Sequence, residues 1–147
     1  MRSQVDKLHH VAIRKFTETF GLPLILPVYT LAPRATGKEF VMAAVDLLAR
    51  LQSDSRYRGK RIILVGDSAG GYLSAHLFAV LTNMACGSGD FTYAGQDQLL
   101  ASIGLDKIRE IRRLIDTVFL FSAMTESYPP DEDTEVEKVV GLSRRGC

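Results

Sequence analysis

The sequence predicts an α/β protein with a parallel sheet of about three strands flanked by helices. Three observations predict it. Helical and strand-like segments alternate along the chain, as they do where a parallel sheet is covered by helices. The strand-like segments are short continuous apolar runs, the pattern of strands buried on both faces. A glycine-rich turn, Gly66-Asp67-Ser68-Ala69-Gly70-Gly71, joins the clearest of these strands to an apolar helix.

Each element follows from spacing and punctuation. Residues 4–20 carry Val5, Leu8, Val11, Ala12, Ile13, Phe16 and Phe20 at helical intervals, and Gly21 stands where a helix ends. Leu24 to Tyr29 reads as a first short strand, although Pro27 cannot donate to a ladder. Residues 38–52 are helical, with Phe40, Val41, Ala44, Leu47, Leu48 and Leu51 to one side. Ile62-Ile63-Leu64-Val65 is the strand expected at the centre of the sheet. Tyr72 to Met84 reads as a buried helix. Residues 97–114 read as one amphipathic helix, and Val118-Phe119-Leu120-Phe121 as the last strand.

Composition narrows the function classes. The 147 residues are 46% hydrophobic, and 18 basic residues nearly balance 17 acidic ones. A chain of this length can bury a real core. The balance excludes a strongly basic nucleic-acid binder and an acidic disordered protein as descriptions of the whole. Two cysteines, Cys86 and Cys147, make no disulfide framework, and no Cys/His cluster suggests a metal site. No cofactor is implied. Met1 to His10 is polar and mixed in charge, unlike a signal peptide. The most apolar run, Leu22–Ala32, is interrupted by Pro23 and Pro27 and too short for a transmembrane segment. The default expectation is a cytoplasmic protein. Residues 126–147 carry 6 acidic and 3 basic residues, with Pro129-Pro130 near their start. The expected organisation is a core over 1–125 and a weakly ordered acidic tail over 126–147.

The chemistry lies in Gly66-Asp67-Ser68-Ala69-Gly70, which fits G-x-S-x-G between a strand and a helix. A nucleophile elbow reverses the chain so sharply that the residues two before and two after the serine must be small, which Gly66 and Gly70 are. Gly71 lets the helix pack close to the sheet. Ser68 would then project from the carboxyl edge of the sheet at the positive end of a helix. The Ala69 N–H would point at a developing oxyanion. Rival readings fit less well. A phosphate loop ends in Gly-Lys-Ser/Thr, and here Tyr72 follows Gly71. A dinucleotide fingerprint needs glycine where Ser68 stands. A chymotrypsin-like site has Gly-Asp-Ser-Gly-Gly on β-structure, without an Ala69 or a following helix. A connecting turn with no chemistry is the bland alternative.

Gly66-Asp67-Ser68-Ala69-Gly70-Gly71, preceded by Tyr29-Thr30-Leu31-Ala32-Pro33, resembles the hormone-sensitive-lipase-like branch of the α/β-hydrolases. Val118-Phe119-Leu120-Phe121-Ser122 resembles the next strand of that family, less closely. The resemblance implies a partial α/β-hydrolase fold and a carboxylic-ester hydrolase, an esterase or lipase acting on a small ester or lipid-like substrate. It implies Ser68 as the catalytic nucleophile and Ala69 as an oxyanion donor. It also shows what is missing. No His-Gly-Gly-Gly loop is present, since His9-His10 are followed by Val11-Ala12. Of three histidines only His76 follows Ser68, about 12 Å along the same expected helix, against the roughly 3 Å that proton transfer needs. His76 therefore reads as a packed helix residue, and His9 and His10 as part of a solvated face. No acid motif follows. Asp67 adjoins the serine but points elsewhere in an elbow, and Asp131, Glu132 and Asp133 read as a solvated charge run. The expectation is a truncated member with impaired hydrolysis. The alternative is a non-catalytic small-molecule-binding or interaction protein on the same fold.

Overall fold

The computed structural model describes residues 7–30, 34–87 and 93–121. These fall into two compact units, one within Met1–Thr30 and one within Leu31–Cys147.

In the first unit, helix α1 spans Lys7–Phe20. Its apolar residues recur at helical spacing, and Phe16 and Phe20, one turn apart, hold their ring centroids 4.6 Å from each other. Gly21 ends it with φ 63° and donates its N–H to the Thr17 carbonyl at 2.9 Å. That left-handed conformation suits a glycine beyond a helix end. Residues 21–30 are irregular. The strand expected over Leu24 to Tyr29 is thus not formed. Pro23 and Pro27 each remove a ladder donor, and Ile25, Leu26 and Val28 stay exposed.

The second unit holds the rest. Helix α2 spans Gly37–Ser53. The Thr36 N–H donates to the Glu39 carboxylate at 2.6 Å and closes its first turn. That bond holds the Glu39 carboxyl below its ordinary value. Strand β1 spans Ile62–Asp67, helix α3 Ala69–Cys86, helix α4 Gln96–Ile103, helix α5 Leu105–Leu114 and strand β2 Ile115–Phe121. The single helix expected over 97–114 is two helices. Gly104, at φ 83°, breaks it between them. Its N–H closes α4 on the Leu100 carbonyl, and its own carbonyl accepts the Ile108 N–H that opens α5. The tail over 126–147 lies outside the described residues.

β1 and β2 pair in parallel, with Leu64 opposite Val118, Gly66 opposite Leu120 and Asp67 opposite Phe121. The α/β class and the parallel sheet are as the sequence predicts, but the described residues hold two strands rather than about three. Helix α3, in the connection between the strands, is central. It packs on both strands and on α2 and α5, and Val80 and Leu81, neighbours in sequence, are both fully buried. Burial on adjacent faces explains why α3 is apolar nearly all round. Val41 and Val45 of α2, Leu99 of α4 and Ile108 and Ile111 of α5 complete the core, with Ile62, Leu64 and Val118 packed against it from the sheet.

Among the described residues, the core covers one face of β1. Leu64 meets the core, while Ile63 and Val65 are 41% and 40% exposed. Successive side chains of a strand point to opposite faces, and the core lies on only one of them. No helix among the described residues is long and apolar enough to cross a membrane.

Candidate active site

Ser68 stands at the turn between β1, which ends at Asp67, and α3, which begins at Ala69. Its backbone has φ 52° and ψ −121°. It is the one non-glycine residue with positive φ among those described. An L side chain there is strained by roughly 1–3 kcal/mol, and such strain persists where the surroundings over-determine the turn. Two constraints do so here. The Ser68 N–H donates to the Phe121 carbonyl at 2.9 Å, fastening the turn to the end of β2. The Ser68 carbonyl accepts the N–H groups of Gly71 at 3.0 Å and Tyr72 at 3.2 Å, so the first turn of α3 closes on it.

The glycines are not equivalent. A Cβ on Gly66 would collide with the Gly70 carbonyl and lie 2.7 Å from the Gly71 Cα. The close approach runs between Gly66 on the strand and the Gly70–Gly71 backbone on the helix, with Gly66 and Gly71 both buried. A Cβ on Gly70, in contrast, would meet nothing within 4 Å. The expectation that both Gly66 and Gly70 must be small is met at Gly66 alone, because the Gly70 Cα faces open space while its carbonyl makes the contact.

Ser68 and Ala69 are exposed. The Ser68 hydroxyl makes no hydrogen bond among the described residues. Ala69 is the first residue of α3, so its N–H has no helical acceptor. An exposed hydroxyl thus lies beside an unpaired N–H at the positive end of a helix macrodipole, an arrangement suited to an anion or a polarised carbonyl oxygen. No acidic side chain occupies the first turn of α3. Asp67 is exposed at the end of β1.

Within the second unit, His76 is not brought to Ser68. His76 lies two turns further along α3, half-buried between two rings. Its imidazole stacks on Tyr72, with centroids 6.0 Å apart and planes 8° apart, and meets the edge of Tyr93 at 6.3 Å. His10 is exposed on α1, in the first unit. Asp131, Glu132 and Asp133 lie outside the described residues. Among the described residues no group of three or more His, Cys, Asp or Glu side chains is arranged to hold a metal ion.

Two features of the site escaped the sequence reading. The Phe121 carbonyl as an anchor has no sequence signal, since any residue supplies that group. Tyr72 did leave one. It lies four residues after Ser68, and residues so spaced neighbour each other on a helix surface.

No curated protein and no solved structure matches the chain. The model of one protein family does, over residues 4–137, a span that includes α1, both strands and the turn at Ser68. That family is described as the alpha/beta hydrolase fold. A match over most of the 147 residues, with a parallel sheet whose strand turns into a helix at a strained serine, establishes that the chain belongs to the α/β-hydrolase family, in its hormone-sensitive-lipase-like branch.

Proposed function

We propose that the protein is a carboxylic-ester hydrolase of esterase or lipase type, with Ser68 as its nucleophile and the Ala69 N–H as an oxyanion donor. The observation that carries the reading is the strained Ser68 backbone at the strand-to-helix turn, which presents an exposed hydroxyl beside that N–H. In the proposed reaction Ser68 Oγ bonds to the ester carbonyl carbon and loses its proton to solvent. The oxyanion collapses, the C–O bond to the alcohol breaks, and the alcohol leaves protonated. Water then hydrolyses the acyl-serine. The Ala69 N–H and the end of the helix stabilise charge on the carbonyl oxygen in both steps.

Turnover is expected to be slow. No histidine of the second unit lies within proton-transfer reach of Ser68, and His76 is held between Tyr72 and Tyr93. Loss of triad members costs about 10⁴- to 10⁶-fold in turnover. The test is hydrolysis of p-nitrophenyl acetate by the full chain and by Ser68→Ala. A slow rate that Ser68→Ala abolishes supports the reading. A rate unchanged in Ser68→Ala would refute it. Turnover of tens per second would reveal a base outside those named here.

The position of His76 also favours a second reading, a small-molecule-binding protein on the same fold. In that case Ser68→Ala would alter ligand binding, and the wild type would show no Ser68-dependent hydrolysis.

A further inference from the structure

Tyr72 lies one turn beyond Ser68, and its N–H donates to the Ser68 carbonyl at 3.2 Å. Side chains on a helix lean toward its N-terminus and cover the turn before their own Cα. The Tyr72 ring therefore covers surface beside Ser68, and it is 38% exposed. One face of that ring is already taken. His76, on the C-terminal side, stacks on it in parallel at 6.0 Å.

The support continues inward. His76 meets the edge of Tyr93 at 6.3 Å and 70°. Tyr93 is 6% exposed and donates its hydroxyl to the Lys38 carbonyl at 2.6 Å. Three rings thus step outward from the core, and among the described residues Tyr72 is the most exposed of the three. A large aromatic side chain held by a stacked neighbour and partly exposed loses little freedom when a flat group stacks on it.

We infer that Tyr72 is a specificity-determining residue, whose exposed ring receives an aryl group carried by the ester and so favours aryl-bearing esters over acetate-like ones. The inference rests on the reading of Ser68 as the nucleophile.

The test avoids turnover, which is expected to be slow with His76 held away from Ser68. Phenylboronic and methylboronic acid are each titrated into the full chain, and conversion of trigonal to tetrahedral boron is followed by boron NMR. In the adduct a bond forms between Ser68 Oγ and boron, and the hydroxyl proton passes to the buffer. Each acid is compared across variants, so the different acidities of the two reagents cancel. Tyr72→Ala and Tyr72→Leu should weaken phenylboronic acid by about threefold to tenfold and leave methylboronic acid unchanged. Tyr72→Phe should bind both as the wild type does. Tyr72→Leu keeps apolar bulk on α3, so the comparison survives if the alanine variant folds poorly. A Ser68-dependent adduct whose phenyl-to-methyl ratio is the same in wild type and Tyr72→Leu would overturn the inference alone. No adduct, or one that persists in Ser68→Ala, would overturn the nucleophile reading and the inference together.

Discussion

Gly66 on β1 and Gly71 on α3 approach so closely that a Cβ on the first would lie 2.7 Å from the Cα of the second. Strand and helix therefore meet backbone to backbone beneath the serine. Gly66→Ala must push them apart, and overpacking of this kind costs about 1–3 kcal/mol. Gly70→Ala enters open space in the first turn of a helix and should stabilise by up to about 1 kcal/mol. Urea midpoints of the two variants check this. Equal losses at both positions would show that the close approach is not specific to Gly66.

The positive φ of Ser68 gives a second expectation. Glycine adopts that conformation without a Cβ penalty, and alanine does not. Ser68→Gly should be more stable than Ser68→Ala by about 1 kcal/mol. Thermal unfolding of the two variants reads the difference directly. Greater stability for alanine would contradict the backbone conformation at the turn.

Tyr93 predicts a pH dependence. Burial pushes its hydroxyl from the usual 10 up to about 12. The folded state thus favours the protonated phenol, and the unfolded chain releases its proton first. The stabilising contribution is complete below pH 10 and is lost as pH rises toward 12. Tyr93→Phe lacks both the titration and the bond to the Lys38 carbonyl, which should cost about 0.5–1.5 kcal/mol at pH 7. The stability gap between wild type and Tyr93→Phe should therefore narrow between pH 10 and 12. A constant gap across that window would place Tyr93 outside the core.

The helical core and the uncovered face of the sheet offer a contrast. Ile108 is fully buried, and Ile108→Ala should lose about 2–5 kcal/mol. Val65, exposed on the uncovered face, should tolerate Val65→Thr within about 0.5 kcal/mol. Chemical denaturation distinguishes them, and a large loss at Val65 would mean that this face is covered in solution.

The sequence marks Ile62 to Val65, α2 and the apolar stretch of α3 clearly, because spacing and β-branching act locally. The turn at Ser68 was legible for the same reason, since a glycine–serine turn between a strand and a helix is a local pattern. Leu24 to Tyr29 misled because an apolar run is a strand only if another strand pairs with it, and the run itself carries no record of a neighbour. The break at Gly104 could have been read, but the apolar spacing from Leu100 to Ile111 continues across it. Burial of β1 on one face depends on which helices the chain brings to the sheet, and no residue of β1 encodes that. The fixed place of His76 between two tyrosines depends on Tyr93, which precedes a different helix and is distant in sequence.

The bond from the Ser68 N–H to the Phe121 carbonyl has a consequence for the order of events in synthesis. A ribosome adds the serine and its glycines first, then all of α3, α4 and α5, and only afterwards the residue that fastens the turn. A nascent chain halted before β2 has every side chain of the motif and no acceptor for that N–H. The fastened turn at Ser68 is therefore a late-maturing property, acquired when the second strand lies down beside the first. A reagent specific for it would report completion of the sheet rather than presence of the motif.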